Sequence, residues 1–165
     1  MNLLVHTIVG EIDELDRNGV RLHAIGDLDN LPASCREELE RGTQRTAAND
    51  RINLILALNY SARWEIINAI RKIITDGVSP EAVNSQRVND YLCTSHFPDP
   101  ELLIRTSGEK RLSNFLLWQL AYAELYFTAT LWPDFDEEAF YRAILDFQSR
   151  ERRFGKTSEQ LQPQD

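Results

Sequence analysis

The chain has 165 residues, enough for one domain with a single ordinary hydrophobic core. Its 26 acidic and 18 basic residues give a formal charge of −8, which argues against a broad electropositive face for nucleic acid. Cys35 and Cys93 are isolated thiols without metal-ligand spacing, so the sequence favours a reducing compartment, and the cytoplasm is the expected location. The N-terminus lacks the basic segment of a signal peptide, and no apolar run is long enough for a membrane span.

The first half of the chain alternates between helix and strand patterns. In order, apolar spacing predicts a helix over 1–17, a strand over Val20–Ile25, a helix from about Leu31 to Thr46, a strand over Ile52–Leu58, and helices over Ala62–Thr75 and Ser85–Cys93. The aliphatic run Ile52–Leu58 is typical of a strand buried on both faces. The first helix begins without a capping residue or a preceding strand, which leaves open whether the chain starts inside an element.

Residues 101–127 form the segment around which we expect the rest to be organised. The pattern predicts a strand at Leu102–Ile104, a polar loop at Arg105–Leu112, a helix at Ser113–Ala123 and a strand at Leu125–Thr128. Asp134 and Glu137 are the predicted capping pair of a last helix that runs to about Arg150, and the polar tail Lys156–Asp165 is expected to be disordered. The sequence therefore predicts an α/β fold, a mostly parallel sheet flanked by helices, in one domain over 1–155.

The predicted loop after Leu102–Ile104 carries groups suited to an anion. Arg105 and Arg111 can form bidentate hydrogen bonds, and Ser113 is a good N-cap for the predicted helix. Ligands bind at the carboxyl ends of parallel strands, so this loop is a candidate phosphate or diphosphate site. Lys110 is more simply a solvated loop charge, and Ser113 could be a helix cap alone.

The charge of Arg105 has a second interpretation. An arginine at the end of a buried strand needs a partner, which could be a ligand or the carboxylate of Glu109 or Glu101. Spacing alone leaves both open.

Glu124 interrupts the apolar run AYAELYF at the start of a predicted strand, where an unpaired carboxylate is costly. It could pair with an internal arginine, or bind a divalent cation or a basic group of a neighbouring subunit. Near phosphates the cation that suits such an oxygen ligand is magnesium.

Two further groups have plain structural explanations. Tyr60, Arg63 and Trp64 follow the predicted strand, where Trp64 fits the core and Arg63 fits a surface charge at the start of a helix. Arg152 and Arg153 follow a helix end, where the helix dipole favours basic residues.

The segments IRTSGEKRLSNFLLWQLAYAELYF, LWPDFDEEAFYRAILDF and ERRFG resemble the C-terminal half of the cis-prenyltransferases, in particular bacterial undecaprenyl diphosphate synthases. The resemblance extends back through LILALNYSARWEI and VRLHAIGD to the first helix. It implies an enzyme that condenses isopentenyl diphosphate onto an allylic diphosphate, usually farnesyl diphosphate, with Mg2+. It also implies a homodimer with a parallel sheet flanked by helices, touching the membrane at most peripherally through its product.

The resemblance also assigns roles to single residues. Positions matching the family's substrate-binding residues are Arg105, Arg111, Leu112, Ser113, Arg153 and Gly155. Glu124 matches the family's magnesium-associated glutamate, and Arg153-Phe154-Gly155 matches the motif that reaches toward the partner subunit's active site. The aliphatic face of helix 1–17 and Ile52 resemble the tunnel that holds the growing chain, although an ordinary core would have the same pattern.

Some family motifs have no counterpart in this chain. The aspartate followed by His-Gly-Asn-Gly-Arg-Trp, which binds the allylic diphosphate and supplies the main catalytic carboxylate, is absent, as is Ser-Thr-Glu-Asn-Trp. Ser61-Ala62 replaces two glycines that are common in the family. We therefore assign no catalytic residue, and expect little or no condensation by residues 1–165 alone, with exposed apolar faces that favour oligomerisation. The alternatives are a catalytically silent subunit of a cis-prenyltransferase complex and a generic phosphate-binding α/β module.

Overall fold

The structure is a computed structural model that describes the backbone of residues 2–150 and the side chains of residues 10–150. The chain divides into two compact units, Met1–Phe97 and Pro98–Asp165. Both combine α-helices with parallel strands, so the predicted α/β class is confirmed. The single domain over 1–155 stays a prediction, and the disordered tail and the Arg152, Arg153 and Gly155 assignments lie outside the described residues. No helix in the described part of the chain is long and apolar enough to cross a bilayer.

The first unit follows the predicted order of elements closely. It contains α1 (Asn2–Arg17), β1 (Val20–Ile25), α2 (Ala33–Arg45), β2 (Ile52–Ala57), α3 (Ala62–Thr75) and α4 (Ser85–Tyr91). The strands pair in parallel, from Val20 opposite Ile52 to Ile25 opposite Ala57. Gly19 and Gly77 follow α1 and α3 with φ of 70° and 67°, the left-handed conformation that ends many helices.

The core of the first unit lies between α1, α2 and β1. Its buried side chains are Ile12, Leu22, Leu31, Cys35 and Leu39. Gly42 lets α2 approach closely, because a Cβ there would lie 3.0 Å from Ile12 Cδ1. Both helices therefore cover the same face of β1.

The prediction that Ile52–Leu58 is buried on both faces is wrong. Ile52 is 53% exposed and Leu54 is 37% exposed. Within the described residues β2 pairs with β1 alone, so one of its edges has no neighbouring strand. An aliphatic run shows that a strand is suited to burial on both faces. Within the described residues, too few elements pack on β2 to bury its side chains.

Other apolar faces are also uncovered, as we expected. Ile67, Ile70 and Ile74 follow one another at helical spacing on α3, and each is about half exposed or more. Among the described residues α3 packs mainly on α4, which leaves this stripe in contact with solvent.

The second unit contains β3 (Leu102–Arg105), β4 (Glu124–Phe127) and α5 (Glu137–Ser149). β3 and β4 pair in parallel, from Leu102 opposite Glu124 to Arg105 opposite Phe127. The parallel pairing is thus confirmed, but the four strands form two two-stranded ladders instead of one continuous hydrogen-bonded sheet.

The predicted helix over Ser113–Ala123 does not form. This segment is a series of turns, which include a helix-like hydrogen bond from Leu120 N to Leu116 O at 2.9 Å. Ser113, Asn114 and Leu116 have φ of 51°, 59° and 45°. Because left-handed backbone interrupts a right-handed helix, Ser113 is not an N-cap.

The last helix is capped by Asp136, two residues after the predicted Asp134. Asp136 Oδ1 accepts a hydrogen bond from Ala139 N at 2.9 Å, whereas Asp134 lies in a single 3-10 turn over Trp132–Asp134. The prediction that Asp134 and Glu137 cap the last helix is therefore wrong, because the cap lies two residues later.

Asp136→Ala is expected to lower the free energy of unfolding by about 1 kcal/mol, because it removes the acceptor of an N-terminal amide. Urea denaturation monitored by circular dichroism measures the change. Asp134→Ala is the matched control and should have a clearly smaller effect; equal losses would show that Asp136 does not cap α5.

Candidate functional site

A cavity of about 400 Å3 lies at the carboxyl end of β3, where parallel strands commonly bind ligands. It is lined by Leu103, Ile104, Arg105, Thr106, Arg111, Leu112, Ser113, Phe115 and Trp132. The cavity therefore brings together four of the predicted substrate-binding residues, Arg105, Arg111, Leu112 and Ser113. The mixture of two guanidiniums, hydroxyls and apolar groups suits a ligand with a charged head and an apolar body.

Arg105 is the last residue of β3, and its backbone oxygen accepts a hydrogen bond from Thr128 N at 2.9 Å. Its side-chain Nε is buried and has no hydrogen-bond partner among the described residues. The alternative ion pair with Glu109 or Glu101 is not formed within this part of the chain. A buried donor without an acceptor is costly, so the geometry favours an anionic ligand as its partner.

The loop after β3 is held by main-chain hydrogen bonds. Ser107 N donates to Thr130 O and Gly108 N donates to Thr128 O, both at 2.8 Å. Ser107 has φ of 68°, which an L-residue rarely adopts unless surrounding structure imposes it. These bonds fix the start of the loop against the residues that follow β4.

Arg111 and Ser113 reach the cavity from its exposed side. The Arg111 guanidinium forms an ion pair with Glu109, and 65% of its side chain is exposed. Exposed pairs contribute little net stability, so an incoming phosphate group could replace Glu109 at small cost. Ser113 is exposed as well, while Lys110 is exposed and does not line the cavity, consistent with a solvated loop charge.

Glu124 is paired with an internal arginine, which was one of its two predicted roles. Arg150 Nη1 donates to Glu124 Oε2 at 2.9 Å and to Leu125 O at 3.1 Å, and Arg150 also pairs with Asp146. The hydrogen bond that Arg150 donates to Glu124 is the main cause that raises the pKa of Arg150. This cluster joins the start of β4 to the end of α5.

The register separates Glu124 from the Arg105 cavity. Glu124 pairs with the first residue of β3 and Arg105 is the fourth, so the two lie about 10 Å apart along the strands. No group of three or more potential metal-binding side chains occurs among the residues with described side chains. A carboxylate is nonetheless the ligand type that magnesium prefers, and it usually takes one or two from the protein. Magnesium binding by Glu124 stays a prediction.

Arg150→Gln is expected to reduce the free energy of unfolding by about 1 kcal/mol, since hydrogen bonds to charged groups are lost at a partly buried site. Thermal or urea denaturation provides the measurement. Arg142→Gln removes an exposed pair with Glu138 and should change stability by less than about 0.5 kcal/mol. If both variants behaved alike, the Arg150 cluster would be no more than a surface ion pair.

Sequence reasoning missed Glu65 in the first unit. This carboxylate is 1% exposed, accepts a hydrogen bond from Tyr60 Oη at 2.5 Å and another from Cys93 N at 2.8 Å. It joins the end of β2, α3 and the residues after α4. The available signal was its spacing, because Glu65 shares the buried face of α3 with Ala62 and Ala69.

The neighbours of Glu65 have structural roles. Trp64, predicted to lie in the core, is half-buried, and Arg63 is exposed, as predicted for a surface charge at a helix start. Burial is the main cause that raises the pKa of the Cys93 thiol, which keeps it protonated and weakly reactive.

The turn that follows β1 packs closely against the residues that follow β2. Gly26 has φ of 119°, and a Cβ there would lie 2.0 Å from Leu58 O. Asp27 N donates to Asn59 O at 3.4 Å and Asn59 Nδ2 donates to Asp27 O at 3.1 Å. No pattern in the sequence predicts this close approach.

Fold and cavity together define an α/β protein with parallel strand pairs and a cavity lined by two arginines at a strand end. The family model described as "Putative undecaprenyl diphosphate synthase" matches residues 1–155. The chain belongs to this family of cis-prenyltransferases.

Named relatives agree with this membership. The chain is 53% identical to the isoprenyl transferase of Porphyromonas gingivalis over 98% of its own length and 65% of the relative's. It is 43% identical to the farnesyl-diphosphate-specific ditrans,polycis-undecaprenyl-diphosphate synthase of Coxiella burnetii, over 98% and 70% of the two lengths. The chain thus spans about two thirds of these relatives.

Solved structures show the same fold. The probable undecaprenyl diphosphate synthase of Campylobacter jejuni aligns with a TM-score of 0.83 and 38% identity, covering 94% of this chain and 72% of that one. Lavandulyl diphosphate synthase of Lavandula x intermedia, solved with dimethylallyl diphosphate, aligns with a TM-score of 0.86 and 34% identity, covering 94% and 71%.

Proposed function

We propose that this chain serves cis-prenyl chain elongation, the condensation of isopentenyl diphosphate onto farnesyl diphosphate to give undecaprenyl diphosphate for the cell-wall lipid carrier. Its cavity at β3 would hold the diphosphate of isopentenyl diphosphate. The observation that carries this proposal is the buried Arg105 Nε, which has no acceptor among the described residues. Family membership supplies the substrate class.

The residues of the cavity would divide the work of binding. Arg105 and Arg111 would neutralise the diphosphate by charge-assisted hydrogen bonds, and the Ser113 hydroxyl would donate a further one. Leu103 and Phe115 would contact the five-carbon body. Holding the second substrate in one orientation lowers the entropy loss in the condensation step.

Magnesium and a second subunit belong to the same proposal. Glu124 would hold Mg2+, which neutralises diphosphate charge when it is bound. A homodimer would bring Arg153 and Gly155 of one subunit toward the active site of the other. Exposed apolar side chains of the second unit, including Tyr122, Leu131 and Trp132, support self-association.

Calorimetric titration with isopentenyl diphosphate tests the site, with inorganic diphosphate and isopentenyl alcohol as comparison ligands. Isopentenyl diphosphate should bind at least ten-fold more tightly than inorganic diphosphate, because the apolar lining adds contacts that the inorganic ion cannot make. Equal affinity for the two would favour a generic phosphate-binding module.

Condensation is tested separately by transfer of radiolabelled isopentenyl diphosphate to farnesyl diphosphate. Residues 1–165 alone are expected to give little or no product, since the motif His-Gly-Asn-Gly-Arg-Trp that the resemblance leads us to expect does not occur in their sequence. Normal polyprenyl product would overturn that expectation. Product that appeared only with a separate full-length family member, and from that member alone, would favour a catalytically silent subunit.

A further inference from the structure

The residues that follow β4 hold the backbone of the loop that follows β3. Beyond the paired strands, Thr128 N donates a hydrogen bond to Arg105 O at 2.9 Å. Gly108 N donates to Thr128 O at 2.8 Å, and Ser107 N donates to Thr130 O at the same distance. Because both acceptors belong to one short segment after β4, the conformation of that segment determines where the loop is held.

The side chain of Thr128 closes this segment into a turn. Thr128 Oγ1 accepts a hydrogen bond from Thr130 N at 3.2 Å and lies 3.0 Å from Thr130 Oγ1, so the two hydroxyls share a second bond. A threonine hydroxyl that binds the amide two residues later is a known stabiliser of short turns. We call residues 128–130 the hydroxyl turn. Both threonine side chains are half-buried, which partly shields these bonds from water.

The hydroxyl turn lies between two parts of the cavity wall. Arg105 and Thr106 line the cavity and directly precede the loop amides that the turn holds, and Trp132, which also lines it, follows the turn by two residues. A Cβ on Gly108 would lie 4.0 Å from Ala129 Cα, so loop and turn are within van der Waals reach of each other. The turn therefore connects the arginine side of the cavity with its aromatic side.

The loop requires this support because its backbone conformation is unfavourable. Ser107 and Gly108 have φ of 68° and 69°, and a serine adopts such a value rarely unless the surrounding structure imposes it. Without the hydroxyl turn, the loop would populate other conformations, and Arg111, three residues after Gly108, would leave the cavity for part of the time. A ligand would then have to order the loop on binding, which lowers its affinity.

We propose that Thr128 is a positioning residue of the diphosphate site, whose hydroxyl fixes the loop between Arg105 and Arg111 by closing the hydroxyl turn. Thr128 does not line the cavity, so it acts through the backbone and not by contact with the ligand. The inference rests on the proposed function, since it assumes that the cavity binds a diphosphate. Because the loop carries the charged groups, loss of the hydroxyl should affect the binding of the diphosphate head and not that of the five-carbon body.

Two variants at this position test the proposal by calorimetric titration. Thr128→Val keeps the shape of the side chain without the hydroxyl and should weaken isopentenyl diphosphate and inorganic diphosphate alike by about ten-fold, the effect of one lost hydrogen bond. Thr128→Ser keeps the hydroxyl and should stay within about three-fold of the parent. Thr75→Val is the matched control, since the Thr75 hydroxyl also bonds to the backbone, at Arg71 O, but lies in the first unit. It should leave both affinities unchanged.

Amide exchange of the ligand-free chain, followed by NMR, provides a measurement that does not depend on binding. Exchange at Ser107 and Gly108 should be about ten-fold faster in Thr128→Val than in the parent, because their acceptors are no longer held in place. Glu124 is the internal control, since its amide donates to Glu101 O at the opposite end of the β3–β4 ladder, and its exchange should not change.

The outcomes separate this inference from the proposed function. A parent chain that binds both ligands equally contradicts the proposed function, whereas parallel losses in Thr128→Val would still support the positioning role. A parent that prefers isopentenyl diphosphate, with a folded Thr128→Val variant of unchanged affinity or unchanged exchange at Ser107 and Gly108, overturns the inference alone. A parent that binds neither ligand contradicts both.

Folding of the variants is checked by circular dichroism. If Thr128→Val does not fold, Thr128→Ala takes its place, because it removes the same hydroxyl without placing a second methyl group in the turn. Failure of both variants to fold would assign Thr128 to the stability of the second unit and overturn its role in positioning the loop.

Discussion

Arg105→Ala should weaken binding of isopentenyl diphosphate by about 100-fold, the loss of roughly 3 kcal/mol expected when charge-assisted hydrogen bonds to a diphosphate disappear. The same substitution should leave the free energy of unfolding within about 1 kcal/mol of the parent, because it also removes a buried donor that lacks a partner in the described residues. Calorimetric titration and urea denaturation measure the two quantities.

This separation between affinity and stability distinguishes a ligand-binding arginine from a structural one. Lys110→Ala is the matched control, since Lys110 is a loop cation that does not line the cavity, and its affinity should change by less than about three-fold. A large loss of stability in Arg105→Ala, with unchanged affinity in the folded fraction, would assign Arg105 to the fold alone.

Gly26→Ala is expected to destabilise the first unit by at least about 3 kcal/mol. Two costs add: a Cβ would lie 2.0 Å from Leu58 O, and φ of 119° is outside the region that alanine readily adopts. The turn would have to move, and the hydrogen bonds between Asp27 and Asn59 would then be lost. Urea denaturation followed by far-ultraviolet circular dichroism gives the difference.

Two other glycines provide controls for this prediction. Gly77 has φ of 67° with no atom near its Cβ position, so Gly77→Ala should cost only the conformational strain of about 1 to 2 kcal/mol. Gly10 lies in α1 with open space around it, and Gly10→Ala should stabilise the helix by about 0.5 to 1 kcal/mol. If Gly26→Ala lowered the free energy of unfolding no more than Gly77→Ala, the close approach of Gly26 to Leu58 O would be contradicted.

The sequence predicted elements best where periodicity and end signals agree. α3 begins and ends where predicted, because its apolar spacing, the Ser61 cap and Gly77 all indicate the same bounds. The bounds of β1 were also predicted correctly, between the glycine turn at Gly19 and the turn at Gly26. In both cases the information is local.

Predictions failed where the structure depends on an unusual backbone conformation or on residues that are distant in the sequence. Residues 113–123 have apolar spacing that fits a helix, but left-handed conformations at Ser113, Asn114 and Leu116 prevent one. No propensity predicts left-handed backbone at a leucine. The exposure of Ile52 depends on which strands neighbour β2, a property that its own composition does not contain.

The candidate site was predicted in part. Arg105, Arg111 and Ser113 were expected to meet, and all three line one cavity. Two questions depended on contacts between distant residues: the partner of Arg105, a ligand or a carboxylate, and the presence of an arginine partner for Glu124. Sequence spacing left both open, since it places residues on elements and does not give the distance from Glu124 to Arg150.

The left-handed residues beside the cavity have a consequence for the kinetics of binding. Ser107, Ser113, Asn114 and Leu116 have φ between 45° and 68°, so the conformational entropy of these positions is lost when the chain folds and not when a ligand arrives. Association of isopentenyl diphosphate should accordingly follow a single exponential whose rate rises linearly with ligand concentration, without the plateau that a slow rearrangement of the loop would impose.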